Sequence, residues 1–354
     1  MKKILALATA LSLSACLLSG CSGNDASSAG SAGGSNQSSG SSSGGSEFTE
    51  KYTWSLSSTY SSNSPMMEGA QVFADKLAEY SDGAITLNVF ADSALMGEND
   101  AFAAIKADEL EFACFGPTPI YLYSPEVGYY LAPFLLQSWD EVKTVYYSEP
   151  LEKAKETWRN EYNTRDIGGM VQRGWRNMSC STPVNSVSDL KGVKLRLNDN
   201  QMWADIWNTL GATTVTINLG ELYTSLQNGA VTASEGPWEQ MATYSLWEVQ
   251  DYVIQTQHVM ESVGFWMSEN LYQSLPDNYK DVIDRAAADG LAYIEEQCAA
   301  RDSEYLQQMQ DGGSTFIEPD RESFLKAAEP IYEEYFETTW TATTMEELNA
   351  LLGR

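Results

Sequence analysis

Arg176 and Arg196 stand twenty residues apart and are the side chains best suited to chemistry in this chain. A guanidinium stays charged at physiological pH, and its planar fork meets a carboxylate through two parallel hydrogen bonds. Such a pair grips an organic anion; it does not break bonds. The catalytic alternatives have little to work with. The single histidine, His258, sits in the largely apolar run 253–260. There is therefore no H-E-x-x-H metal pair, and a Ser-His-Asp relay would have to use that one residue. A core or hinge histidine is the expectation. Gly40-Ser41-Ser42-Ser43-Gly44 matches G-x-S-x-G, but no strand precedes it and no helix follows. Paired carboxylates are inevitable among 49 acidic residues and would suit an acidic glycosidase. No cofactor and no metal site is expected.

Charge and the N-terminal region bound the setting. Acidic residues outnumber basic ones 49 to 21, so a nucleic-acid partner, which needs a basic footprint, is not expected. Met1-Lys2-Lys3 opens the chain, an almost unbroken apolar and small run fills residues 4–18, and Leu18-Ser19-Gly20-Cys21 closes it. Residues 1–20 read as a signal peptide with a lipobox, after which a lipidated Cys21 becomes the first mature residue. Leu13-Ser14-Ala15-Cys16 matches less well because the apolar run before it is short. The run is also short of the roughly 20 residues that a spanning helix needs. Residues 21–47 continue as a tether, since eleven Ser and seven Gly among positions 22–46 cannot bury a core. The expected location is extracytoplasmic, held to the cell membrane by lipid, as a monomer. Cys114, Cys180 and Cys298 remain beside Cys21. Their odd number leaves at least one free thiol, and each reads as a small buried hydrophobe.

Strands and helices must position the arginines. Periodicity gives strands at 52–58, 84–91 and 111–115, alternating with helices opened by Pro65 and Glu98. The alternation restarts after Arg176, with strands at 193–197, 213–217 and 230–234. Helices run between them, one capped by Asn198 or Asp199 and ending at Leu210, the other over 221–227. Units of this kind imply a mostly parallel sheet, and two series of them imply two lobes. A long amphipathic helix over about 276–309 exceeds one lobe and is expected to brace both. Within 193–197, Lys194 and Arg196 share the face opposite Val193, Leu195 and Leu197. Arg196 also falls at the carboxyl end of its strand, where ligands bind in open α/β sheets. The competing role is a pair with one of the many acids nearby.

Arg176-Asn177-Met178-Ser179, Pro183-Val184-Asn185-Ser186 and Asp189-Leu190-Lys191-Gly192-Val193-Lys194-Leu195-Arg196 together resemble the signature of the DctP-type solute-binding proteins of TRAP transporters. Asn63 with the helix after Pro65, Glu109-Leu110-Glu111-Phe112, Leu131-Ala132-Pro133-Phe134, residues 223–231 and Leu275-Pro276 fall in the same order and spacing. The resemblance covers residues 50–340.

What it implies is a two-lobed, periplasmic-binding-protein-like (type II) α/β clamp, with the ligand cleft between lobes and the long helix spanning both. Residues 50–173 with 262–301 would form one lobe, and 174–261 with 302–345 the other. The clamp would capture an organic acid, such as a uronate, another sugar acid or a C4-dicarboxylate, and deliver it to the TRAP membrane permease without enzymatic turnover. The arginine matching Arg196 grips the carboxylate and the one matching Arg176 assists. Asn63, Asn218, Glu235, Gly236 and Trp238 complete the expected ligand contacts. The chain departs from the family at 231–236, where Val-Asp-Gly-x-Glu and a polar residue are common. Thr232-Ala233 replaces Asp-Gly, and Gly236 has no side chain. A glycine there admits a bulkier ligand, with Trp238 either stacking on it or packing in the core. The competing readings are an ABC-type substrate-binding lipoprotein, a surface-anchored acidic hydrolase and a structural lipoprotein. The last would have no reason to bury arginines.

Overall fold

The computed structural model describes residues 48–354; the expected signal peptide, Cys21 and the tether lie outside them. Nine strands of the described residues form one sheet: β1 (Tyr52–Ser57), β2 (Ile85–Phe90), β3 (Phe112–Phe115), β4 (Thr164–Cys180), β5 (Lys194–Leu197), β6 (Thr213–Thr216), β7 (Ala233–Gly236), β8 (Tyr252–Ser268) and β9 (Thr315–Ile317). Their order is β2-β1-β3-β8-β4-β7-β5-β6, with β9 beside β8. Pairing is parallel among β1, β2 and β3 and among β5, β6 and β7. The centre is different. β3 with β8, β8 with β4 and β4 with β7 run antiparallel, which corrects the expectation of a mostly parallel sheet. The cause is a ribbon of two 17-residue strands, β4 and β8, that passes through both lobes and joins the two βαβ series.

Local signals set the helix starts. Ser64 caps the Pro65–Tyr80 helix by accepting from the Met67 amide, with Pro65 at the position where a missing N–H costs nothing. Asn200, not Asn198 or Asp199, caps Gln201–Thr209: its Oδ1 accepts from the Trp203 amide at 3.2 Å. The Asp277–Asp311 helix has 35 residues, roughly 50 Å of rigid rod. Its first part, from Tyr279 to Cys298, enters a core with Leu56, Phe73, Ile85 and Phe265. Its far end supplies Tyr305 and Met309 to a core with Leu222, Leu226 and Leu246. One rod therefore serves both lobes. Where it crosses the Pro65–Tyr80 helix, a methyl on Gly69 or Gly290 would lie 2.8 Å from the other's carbonyl oxygen. Only glycines permit so close an approach.

A third cluster joins Phe102, Trp158 and Trp266 to Leu195, Trp207 and Trp340, so apolar packing is continuous through the body. The C-terminal segment adds to it. The Arg321–Thr338 helix packs on Gln201–Thr209, and Met345–Leu352 packs on Trp139–Tyr146, where Arg354 pairs with Glu141. Cys114, Cys180 and Cys298 are all buried and unbridged.

Candidate ligand-binding cleft

The ribbon's irregularities build the site. In β4, Gln172 pairs with Ser262 and Gly174 with Glu261, leaving Arg173 as an extra residue. Residues three apart on a regular strand face opposite sides. The extra residue, with Gly174 at φ +128, re-aims the strand so that Arg173 and Arg176 reach the same carboxylate. Glu261 Oε1 lies 3.2 Å from Arg173 Nη1 and 2.7 Å from Arg176 Nη1.

Each of these arginines has a second acid. Arg173 Nη2 donates to Glu239 Oε2 at 2.7 Å, and its guanidinium lies 4.3 Å from the Tyr60 ring centre. Arg176 forms a fork on Glu235, with Nη2 donating to Oε1 at 2.6 Å and Nε to Oε2. Trp203 covers its face at 4.9 Å. Behind this fork, His258 Nε2 sits 3.1 Å from Glu235 Oε2, and Thr256 Oγ1 sits 2.8 Å from His258 Nδ1. Burial depresses the His258 pKa, so the ring is neutral near pH 7. A carboxylate only accepts, so Nε2 carries the proton and Nδ1 accepts from Thr256. Burial alone would raise the Glu235 carboxyl. The Arg176 charge and the His258 hydrogen bond more than offset it and pull it down to about 2.

Arg196 differs from both. It is 3% exposed, at the carboxyl end of β5, and its Nε donates to the Ile217 carbonyl at 2.8 Å. Among the described residues no carboxylate pairs with it, and its two terminal nitrogens have no protein partner. Burial pushes its guanidinium down to about 10, which leaves it charged at neutral pH. Arg196 lines a cavity of about 470 Å³, a size typical of small-molecule sites. Tyr60, Glu98 and Thr118, from the first βαβ series, line it together with Asn198, Trp203 and Asn218, from the second. A more open depression beside Asp205 and Tyr335 contains no cation.

The structure brings Arg196, Arg176 and Asn218 together in the cavity wall and places the other expected contacts elsewhere. Glu235 is 1% exposed and supports Arg176 from behind. Asn63 is on the surface, where its Oδ1 accepts from Ser61 at 2.7 Å. Gly236 opens no room for a larger ligand, because a Cβ there would lie 2.4 Å from Gln240 Nε2. The Gln240 side chain fills that space and lines the cavity itself. Trp238 packs in the core, its ring 6.0 Å from Phe316. Sequence reasoning missed Arg173, Glu98, Trp203 and Gln240. The glycine beside Arg173 was a usable signal of a bulge.

A two-lobed α/β clamp with a mid-ribbon cavity, in whose wall Arg196 pairs with no carboxylate among the described residues, is a solute-binding architecture. The chain belongs to the bacterial extracellular solute-binding proteins, family 7, whose pattern matches residues 56–339. A solute-binding protein of Roseobacter denitrificans is 27% identical over 284 residues, covering 79% of this chain and 86% of that protein. The sialic acid-binding periplasmic protein of Vibrio cholerae is 25% identical over 268 residues, covering 75% and 83%. A TRAP periplasmic solute-binding protein from Shewanella oneidensis, solved with bound succinate, shares the fold with a TM-score of 0.79. It is 21% identical, and the match covers 86% of this chain and 99% of that one. The corresponding values for a Roseobacter denitrificans protein solved with bound L-galactonate are 0.76, 24%, 83% and 99%.

Proposed function

We propose that this protein captures an organic acid outside the cytoplasm and passes it to the membrane permease of a TRAP transporter. The supporting observation is the Arg196 fork: a buried, charged side chain, pinned by a backbone carbonyl, on a residue that lines the cavity. Its natural complement is one carboxylate. Relatives solved with succinate and L-galactonate carry ligands of that kind. Turnover is not part of this reading, since the one histidine is buried behind Glu235 and does not line the cavity. The two lobes would close over the ligand with 50–173 and 262–301 on one side and 174–261 and 302–345 on the other.

A thermal-shift screen of organic acids tests the reading. A tight ligand at a thousandfold excess over Kd adds about 4 kcal/mol, so the right acid should raise the melting temperature by several degrees or more. Neutral sugars of the same size should not. If no acid shifts the transition, carboxylate capture is wrong. The lipid anchor is also part of the proposal. No helix of the described residues is long and apolar enough to cross a membrane. Cys21→Ser should release the protein from membranes or block its processing; fractionation that still finds it membrane-bound rules lipidation out.

A further inference from the structure

The widest irregularity of the ribbon is held by a cation from outside the cavity. Arg176 pairs with Val259 and Met178 with Ile254, so Asn177 alone faces residues 255–258 of β8. Such a bulge takes backbone groups out of the ladder, and they need partners elsewhere. Gln257 has φ +44, a left-handed conformation uncommon for a residue with a side chain. Asn177 Oδ1 accepts from the Gln257 amide at 3.1 Å, and the Phe134 amide donates to the His258 carbonyl. The Thr256 and Gln257 carbonyls share one partner: Arg321 Nε donates to the first at 3.1 Å and Arg321 Nη2 to the second at 3.0 Å. Arg321 opens the Arg321–Thr338 helix, the end at which the helix dipole disfavours a cation. No carboxylate among the described residues pairs with it, so the two carbonyls are what its charge serves. The helix start is itself moored, since the Asp320 amide donates to the Asn185 carbonyl at 2.7 Å and the Val187 amide to Ser323 Oγ at 3.1 Å.

We propose that Arg321 is a positioning residue for the cleft: it fixes the bulge that sets His258 against Glu235, and through them the Arg176 fork in the cavity wall. The line of contact is continuous. Arg321 holds the Thr256 carbonyl, the Thr256 hydroxyl donates to His258 Nδ1, His258 Nε2 donates to Glu235, and Glu235 orients Arg176. Arg176 lines the cavity and Arg321 does not. Without the guanidinium, two carbonyls lose a charged donor and the left-handed Gln257 loses its restraint, so the bulge relaxes and the imidazole turns away from Glu235. The affinity part of the inference rests on the carboxylate capture proposed above. The imidazole part needs no ligand, so the two can fail separately.

The chain has a single histidine, so nitrogen-15 NMR of the imidazole reads His258 without ambiguity. The parent should show the tautomer protonated at Nε2, with a proton that exchanges slowly with water because the side chain is buried. In Arg321→Ala that proton should exchange rapidly or its resonance should shift. Binding of the acid found by the thermal-shift screen should weaken by about 10-fold, the scale of one lost hydrogen bond to a charged group. In a His258→Gln background the same substitution should cost little more affinity, since its route to the cleft is already cut. Should the alanine variant fail to fold, Arg321→Lys decides: it keeps the charge but loses the fork, and both changes should appear in smaller measure. A folded variant with the parent's imidazole signal and affinity overturns the positioning role and leaves carboxylate capture standing, and a cost that is fully additive with His258→Gln overturns it too. If no acid binds the parent, capture fails, and the imidazole signal alone decides whether Arg321 sets His258.

Discussion

Arg196→Ala should weaken binding of the acid ligand by a factor of order 10² or more. Removing one partner of a desolvated charge pair costs roughly 2–5 kcal/mol, much of it from leaving the other charge unpaired. Arg196→Lys should also bind poorly. Lysine keeps the charge but cannot hold the Ile217 carbonyl with one nitrogen while offering two parallel donors to the cavity. Neither change should greatly lower the melting temperature of the ligand-free protein. Arg196 pairs with no carboxylate among the described residues, so its loss strands no buried charge. Calorimetry on an acid identified by the screen gives the answer. A lysine variant that binds as tightly as the parent removes the two-nitrogen grip, and an unfolded alanine variant makes Arg196 structural.

Glu235→Ala should act in the opposite way, through stability. Breaking a buried ion pair on one side costs about 3–5 kcal/mol. In a chain of this size that amounts to a fall of roughly 5–8 degrees in melting temperature. Arg176 would keep only Glu261, and the His258 Nε2 proton would lose its acceptor. The same carboxylate sets an acid limb. Its folded pKa, about 2, lies below its ordinary 4.5. Its stabilisation is therefore fully present above pH 4.5 and is lost as pH falls toward 2. Glu235→Gln removes that titration, so its loss of stability between those pH values should be shallower than the parent's. Parallel melting curves for the two proteins across that range would refute the assignment. Arg176 is tied into this lattice, so Arg176→Ala should lower both stability and affinity, unlike Arg196→Ala.

How much of this could be read from the chain depends on how local each signal is. The βαβ units were legible because each carries its own punctuation: Ser64 before Pro65, an apolar 3- and 4-residue spacing, Gly83 after the helix. The central ribbon was not. β4 contains Gly168, Gly169 and Gly174 and several charges, and its register shifts three times, so the two-residue period that marks a strand is repeatedly broken. The opposing register slips most between Val259 and Ile254, where the extra residues of β8 place His258 against Glu235. Arg196 was legible from a clean four-residue strand and its place at the carboxyl end. Gly236 misled because an absent side chain says nothing about which neighbour enters the gap; Gln240, four residues on, does. Trp238 shows the same limit, since ligand face and core face look alike in sequence.

The ribbon and the long helix also constrain how such a protein can change over generations. Neither lobe's core is encoded by an uninterrupted stretch of the gene, because the Asp277–Asp311 helix supplies side chains to both and β4 and β8 run through both. A recombination breakpoint between positions 176 and 235 would put the two halves of the arginine–glutamate lattice under separate ancestry, with Arg173 and Arg176 on one side and Glu235 and Glu261 on the other. Exchange of halves between relatives is therefore a poor route to a new diet. Single substitutions among cavity-lining residues that stand outside the lattice, such as Glu98, Asn198 and Gln240, would change the cavity wall while the inherited scaffold stays whole.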